Sequence, residues 1–427
     1  MTTVPPISAI FCFLLVLLVP LAIVGVALVN SGLSRSRSAA HAVLTTMCVF
    51  GVSAIVYVLI GYAWQGAAGE PFHAFLIRGR SWNWMANTGF FLRGVRLDDA
   101  PSGLLVLFQI FTVGLAAVIP LGGGAERWKL GSACVSSALL AGWTYPVFAH
   151  WVWSGGWLSQ LGTNYGLGRG FVDGGGSGVI HAVGGLTALA MAWILGPRHG
   201  KFTLEGVPAA TPGHNSVLVL TGCLIAWVGW LALNTAGAVL ITGVEIERGA
   251  LIALNTTLSA AAAGLTAVGI TRYRFGKPDA SLTANGWIGG LVASSAAAAF
   301  LKPMASILVG VVAAAFVLAS IDLLESRLRV DDPGGSVSVH AVGGIWGLFA
   351  VCFTAAGGSG QWLAQLIGVA TLIGFALPMS YALNWALNKI HPQRVDEEGE
   401  RRGMDLADLG GGAYPEFVVH SDEFTQY

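Results

Sequence analysis

The sequence predicts an all-α, polytopic membrane protein of eleven transmembrane helices. Helices 1–5 and 6–10 form an inverted repeat, and an eleventh is added at the end. Three observations carry this expectation. Of 427 residues, 55% are hydrophobic and only 10% charged, with a mean hydropathy of +0.70, whereas a soluble domain carries about 25% charged residues. Eleven separate windows are long enough to cross a hydrocarbon core, which takes about 20 apolar residues. Finally, the pattern Asp-x-Gly-Gly-Ser-x-x-x-His-Ala-Val-Gly-Gly occurs at 173–185 and again at 332–344.

The windows are 7–29, 41–63, 102–122, 131–153, 176–196, 215–240, 249–271, 282–301, 304–324, 335–356 and 361–388. No basic residue precedes the first apolar run, which argues against a cleaved signal peptide and for a retained span. The linkers are short except 64–100, rich in Gly, Trp and Arg, where a short helix or two is expected. High glycine content suits helices that pack backbone to backbone through small residues. Beyond 388 the composition turns polar, with Asp396, Glu397, Glu398, Glu400, Arg401 and Arg402. The chain therefore divides into a membrane domain, 1–388, and a cytosolic tail, 389–427. The five cysteines stand singly in apolar stretches without CxxC spacing, so they read as small buried apolar side chains. Zero formal net charge gives no sign of a nucleic-acid partner, and no metal or other cofactor is expected.

Orientation follows from basic residues in the loops. With the N-terminus outside, cytoplasmic loops hold Arg35, Arg37, Arg127, Lys129, Arg198, Lys201, Arg272, Arg274, Lys277, Arg327 and Arg329, more than the outer loops hold. The expected topology is N-out, C-in. The fifth helix then starts from outside and the tenth from the cytoplasm, so the two copies of the motif run antiparallel. Transporters of this inverted design place their site near the bilayer midplane. Asp173 and Asp332 read as N-caps where these two helices begin. His181 and His340 follow eight residues later, about 12 Å down a helix rising 1.5 Å per residue. In a core about 30 Å thick, descents from opposite faces bring both histidines to nearly one depth.

An ionisable side chain inside a span is costly and marks a pathway by default. Neutral imidazole offers one donor and one acceptor and titrates near neutrality. The pair therefore reads as packing residues, as a relay lining an apolar path, or as a metal or bis-His haem pair. No further ligands for the last are apparent. The two aspartates read as helix caps, or as carboxylates attracting cations to a vestibule.

At this point the residues resemble the ammonium transporter family (Amt/Mep, related to Rh proteins) over essentially the whole chain. The resemblance rests on Phe108-Gln109, Gly124-Ala125-Glu126-Arg127, His150-Trp151-Val152-Trp153-Ser154-Gly155-Gly156 and the Asp173…His181 copy running to Leu195-Gly196-Pro197-Arg198. It continues through His214-Asn215, Gly229-Trp230, Asn255-Thr256-Thr257, Gly276-Lys277-Pro278-Asp279 and Val330-Asp331-Asp332-Pro333…Val339-His340. The tail matches at Gly403-Met404-Asp405-Leu406 and Gly412-Ala413-Tyr414-Pro415. The resemblance implies a homotrimer in the cell membrane with a narrow, mostly apolar pore through each protomer. Ammonium is recruited outside and deprotonated, and ammonia then passes His181 and His340 while the proton travels separately. Trp153 matches the aromatic of the outer recruitment site, where a cation can lie against the ring face, and Trp230 matches a pore-side tryptophan. In the tail, Gly403, Asp405 and Tyr414 lie in a segment that packs on the cytoplasmic face and couples protomers, and a PII-type regulatory protein is the family's expected partner there.

The sequence also departs from the family. Two stacked phenylalanines usually gate the pore beneath the recruitment site. Counting along the motifs puts Thr112 and Leu233 at those positions, with Phe111 one residue off and rotated about 100° on a helix. The serine that usually helps hold the cation falls at Gly237. Two functions follow as expectations: ammonium/ammonia transport, or an ammonium sensor with little flux that signals through its tail.

Overall fold

The computed structural model describes residues 6–67, 72–354 and 358–415. Among these, eight helices are long and apolar enough to cross a membrane: Ser8–Leu33, Ser36–Gln65, Ala100–Gly123, Ser177–Leu195, Ser216–Thr242, Ile246–Phe275, Pro303–Ser326 and Gly358–Ile390. Helical segments also occupy much of the other three windows, at 130–153, Ala280–Ser295 and Val337–Phe353. The Ala280–Ser295 helix stops short of its window and gives way to turns at 296–300. The last two positions of the 335–356 window lie outside the described residues, as does the end of the tail, 416–427.

The all-α expectation needs one correction. The 64–100 linker holds an antiparallel hairpin, Phe72–Ile77 paired with Arg80–Ala86, and not the expected short helices, beyond a 3-10 turn at Phe90–Leu92. Arg78 and Gly79 at its tip both have positive φ, 52° and 75°, the backbone of a type I′ turn that matches strand twist. The second strand is tied down from outside the hairpin. Trp157 N donates to Asn83 O at 2.7 Å, and Trp151 Nε1 donates to Trp84 O at 2.7 Å. The hairpin thus marks one face of the molecule, and the arginine-bearing loops mark the other.

Small residues decide how the helices meet. A Cβ on Gly185 would overlap the backbone of His340 and Ala341, and one on Gly344 would overlap the Ser177 carbonyl. A Cβ on Gly347 would lie 2.6 Å from Ser177 Oγ. Contacts therefore move from 341 to 347 on the tenth helix as they move from 185 back to 177 on the fifth, so the two cross antiparallel. The first and sixth helices cross in the same sense: Gly25 lies against Ala226, and Gly222 against the Gly25 carbonyl and Val29. Such glycine contacts are how membrane helices approach without a hydrophobic driving force between them.

The starts of the fifth and tenth helices differ from the expected caps and descent. Residues 173–176 are not helical, and the fifth helix opens with a π turn, Ser177–Ala182, just as the tenth opens with Val337–Val342. His181 N bonds Gly176 O, five residues back, at 3.0 Å. The histidines thus lie in the first turn of their helices, and the 12 Å helical descent is replaced by a non-helical loop plus one wide turn. The cap positions belong to Gly176 and Ser336, with no side-chain cap bond. The aspartates act from further back.

A bulky side chain at either glycine of the crossing must push two backbones apart, an overpacking that costs about 1–3 kcal/mol or more. Gly185→Val and Gly344→Val are expected to lower the thermal midpoint of detergent-purified protein clearly. Gly269→Val, where nothing lies within 4 Å of an added Cβ, serves as the control and is expected to leave it nearly unchanged.

Candidate functional site

The crossing sets three rings in a row. Trp230 stacks on His181 with centroids 5.0 Å apart and planes 11° apart. His181 in turn stacks on His340 at 5.4 Å and 30°. All three are buried. Among the described residues, His181 Nδ1 and Nε2, His340 Nδ1 and Trp230 Nε1 have no hydrogen-bond partner, so the imidazoles face one another without an N–H···N bond. Buried polar groups are nearly always paired, and here four unpaired nitrogens sit on adjacent rings.

The repeated aspartates shape each approach to these rings. Asp173 Oδ2 accepts from Gly178 N at 2.9 Å and Val179 N at 2.8 Å. Asp332 accepts from Ser336 N at 2.9 Å and Val337 N at 2.7 Å. Each carboxylate therefore reaches across the glycine pair to satisfy orphan N–H groups of the first helical turn. The glycines let the loop before each helix lie flat on a neighbour. Gly175 N bonds Ser295 O at 2.8 Å, and Gly334 N bonds Gly122 O at 3.0 Å.

On the hairpin side, Trp153 is buried and its indole N–H donates to Asp173 O at 2.7 Å. That fixes the ring beside the 173–176 loop. Thr112 lies in a buried polar cluster: its Oγ1 is 2.8 Å from Tyr145 Oη, and Tyr145 Oη donates to Gln109 Oε1 at 3.0 Å. Phe111 points elsewhere, stacked on Phe50 at 6.3 Å. Leu233 is fully buried. Gly237 is not an open hole where a hydroxyl is missing. A Cβ there would lie 2.8 Å from Gly174 O and 3.3 Å from the Phe108 ring, so the loop and Phe108 already fill that space. Gln109, Tyr145 and Phe108 are site neighbours that sequence reasoning passed over. Phe108-Gln109 was the available signal, since it opened the first matched motif.

On the arginine side, a buried ion cluster joins four loops. Asp331 accepts from Arg198 Nε at 2.9 Å and Nη2 at 3.0 Å. Arg198 also donates to Glu126 at 2.6 Å, and Glu126 pairs with Arg35. Arg127 is wholly buried and donates to Gly196 O at 2.7 Å and Asp331 O at 2.8 Å. Burial pushes its guanidinium down to about 10 against the pull of Asp331. Burial would raise the Asp331 carboxyl, yet Arg127 and Arg198 hold it below its ordinary value.

The tail docks onto this face instead of trailing from it. Asp405 Oδ1 accepts from His41 N at 2.7 Å. Gly403, with φ 97°, lies against Arg37, where no Cβ fits. Glu400 accepts from His199 N and Arg394 Nη2, each at 2.6 Å. Tyr414 Oη is 3.1 Å from His214 Nε2.

Comparison with known proteins bears on what this site serves. The family model described as Ammonium Transporter Family matches residues 10–414. The ammonium transporter Amt2 of Archaeoglobus fulgidus is 36% identical over 420 residues, covering 93% of this chain and 86% of the relative. The ammonium transporter of Bacillus subtilis is 31% identical, covering 95% and 98%. Among solved structures, one described as a sensor Amt protein superposes with a TM-score of 0.85 at 25% identity, covering 94% of this chain and 97% of that one.

Removing one partner from a buried ion cluster costs about 3–5 kcal/mol, because it leaves charges uncompensated. Asp331→Asn is therefore expected to lower the thermal midpoint sharply at pH 7. The Asp331 carboxyl titrates lower folded than unfolded, so its stabilisation is complete above the unfolded value of about 3.9 and fades as pH falls through the folded one. Melts from pH 7 to pH 3 are expected to show the gap between wild type and variant closing only in acid.

Proposed function

The chain belongs to the ammonium transporter family, and from that premise we propose that it conducts ammonia across the cell membrane past His181 and His340. Relatives of this family are named transporters, so the chain is a transporter-family protein and not an enzyme. The observation that carries the finer reading is the buried stack of Trp230, His181 and His340 with its unpartnered nitrogens. In this reading the chain crosses the membrane eleven times with its N-terminus outside. The hairpin face is then external and the arginine face cytoplasmic. Three copies assemble as a homotrimer, and the docked tail is a regulatory element to which a PII-type protein has access.

The mechanism follows from the energetics of the path. A charged group at the bilayer centre costs at least about 2.5–3.5 kcal/mol. Ammonium meets the face of Trp153 outside and gives its proton to water there. Neutral ammonia then moves along the two imidazoles, whose nitrogens stand in for part of its lost water. Because the rings stack without a direct N–H···N bond, a proton crossing between them needs a bridging water or a ring rotation. K⁺ has no proton to give up and is excluded.

The second reading, a sensor with little flux, draws on two observations. One is the likeness to the sensor Amt structure. The other is the outer site itself, where Thr112, Leu233 and Gly237 replace two rings and a hydroxyl. Uptake by ammonium-starved, transporter-deficient cells separates the two readings. Transport is expected to restore growth on low ammonium, and His181→Ala to abolish that uptake or convert it into an ion leak. Ammonium binding by the purified protein without any uptake would favour the sensor, and unaltered K⁺-excluding flux in His181→Ala would overturn the role given to the pair.

A further inference from the structure

The eighth helix, Ala280–Ser295, gives way to turns at 296–300 although no proline stands at the break. The cause lies on the fifth helix. Ser177 is fully buried, and its Oγ donates to Val292 O at 2.7 Å while accepting from Ala296 N at 2.8 Å. Those are two groups that an α-helix bonds to each other directly, residue i to residue i−4. The hydroxyl is thus spliced into the last rung of the eighth helix, and a side chain inserted into that ladder is a recognised cause of helix breaks. The chain before Ser177 takes the next free carbonyls. Gly175 N donates to Ser295 O at 2.8 Å, and Gly174 N to Ala296 O at 3.2 Å. The start of one helix and the end of the other therefore cap each other.

The second copy of the motif is built differently. There Gly334 N meets Gly122 O at 3.0 Å, but the third helix is interrupted just before Pro120, whose missing N–H breaks the ladder without help. Ser177 is also held from behind. A Cβ on Gly347 would come 2.6 Å from Ser177 Oγ, and one on Gly344 would come 2.4 Å from Ser177 O. The fifth, eighth and tenth helices thus meet on this one residue. Ser177 opens the π turn that contains His181 and ends at Ala182. Its placement sets where that turn starts and which way the imidazole leaves it.

We propose that Ser177 is a positioning residue for His181. Its hydroxyl pins the first turn of the fifth helix to the eighth, and that turn aims the imidazole at Trp230 and His340. Without the hydroxyl, Ala296 N is free to bond Val292 O directly, the last rung of the eighth helix closes, and the pin is lost. The effect on flux rests on the transport reading above, whereas the aim of the ring does not depend on it.

The test uses full-length protein. Imidazole signals are read by NMR from detergent-purified protein with isotope-labelled histidine, and the signal missing in His181→Gln is that of His181. Stacked 5.0 Å from the indole of Trp230, this ring carries a ring-current shift. Ser177→Ala is expected to remove most of that shift, and Ser177→Thr, which keeps the hydroxyl, to retain it. In liposomes, with ammonia influx read from internal pH, Ser177→Ala is expected to be slower roughly three- to tenfold, the range of one net hydrogen bond. Ser177→Thr is expected to stay close to wild type. Ser177→Cys, similar in shape but a poor donor, takes the place of Ser177→Ala where that variant does not fold. An unchanged His181 signal in the folded variant overturns the proposal, and so does an unchanged ammonia rate where the wild type conducts. Absence of wild-type flux with the signal moved as expected overturns the transport reading alone.

Discussion

Where the fifth and tenth helices cross, Gly185 lies on the backbone of His340 and Ala341, and Gly344 lies on Ser177 and Ala182. With no side chain between them, the two backbones come close enough that the histidines, four residues earlier in each helix, meet ring to ring. Everything nearer the faces is arranged to hold that approach. The non-helical loops at 173–176 and 332–335 lie on the ends of the eighth and third helices. Asp173 and Asp332 then replace the hydrogen bonds that such late helix starts leave open. The two π turns widen the backbone where the rings must turn inward, in line with the tendency of π turns to occur at functional sites.

The arginine face shows the same dependence. Asp331 adjoins Asp332, the carboxylate that organises the tenth helix, and is gripped by Arg198 just beyond the fifth. The buried cluster thus ties the start of one pore helix to the end of the other. Glu400 holds His199 N, the next residue along, so the tail touches the same joint. The tail therefore contacts the joint that holds the start of the tenth helix.

Legibility in the sequence followed the kind of force involved. Hydropathy is a sum over a window, so the spans and the paired histidines could be read from residue types alone. The hairpin could not, because its strands are short and its second strand is anchored by Trp151 and Trp157, some seventy residues away. The π turns carry no propensity signature and changed the assumed caps and descent. Thr112 looked like a missing ring. It is a partner of Tyr145 and Gln109, a cluster that exists only once two helices are packed. Gly237 looked like a missing hydroxyl, yet its space is taken by Gly174 and Phe108.

These placements bear on where selectivity resides in the proposed pore. Two stacked rings at the outer mouth would exclude ions by desolvation before they reach the centre. Here that position carries a hydroxyl and an amide already bonded to a phenol, along with a leucine. In the proposed reading, discrimination rests further in, on a stretch that is both buried and lined with unpaired nitrogen. That stretch is Trp230 and the two imidazoles. Each group on it can bond an uncharged amine and none carries a fixed negative charge. A cation that passes the outer mouth is offered no counter-charge by any of these groups.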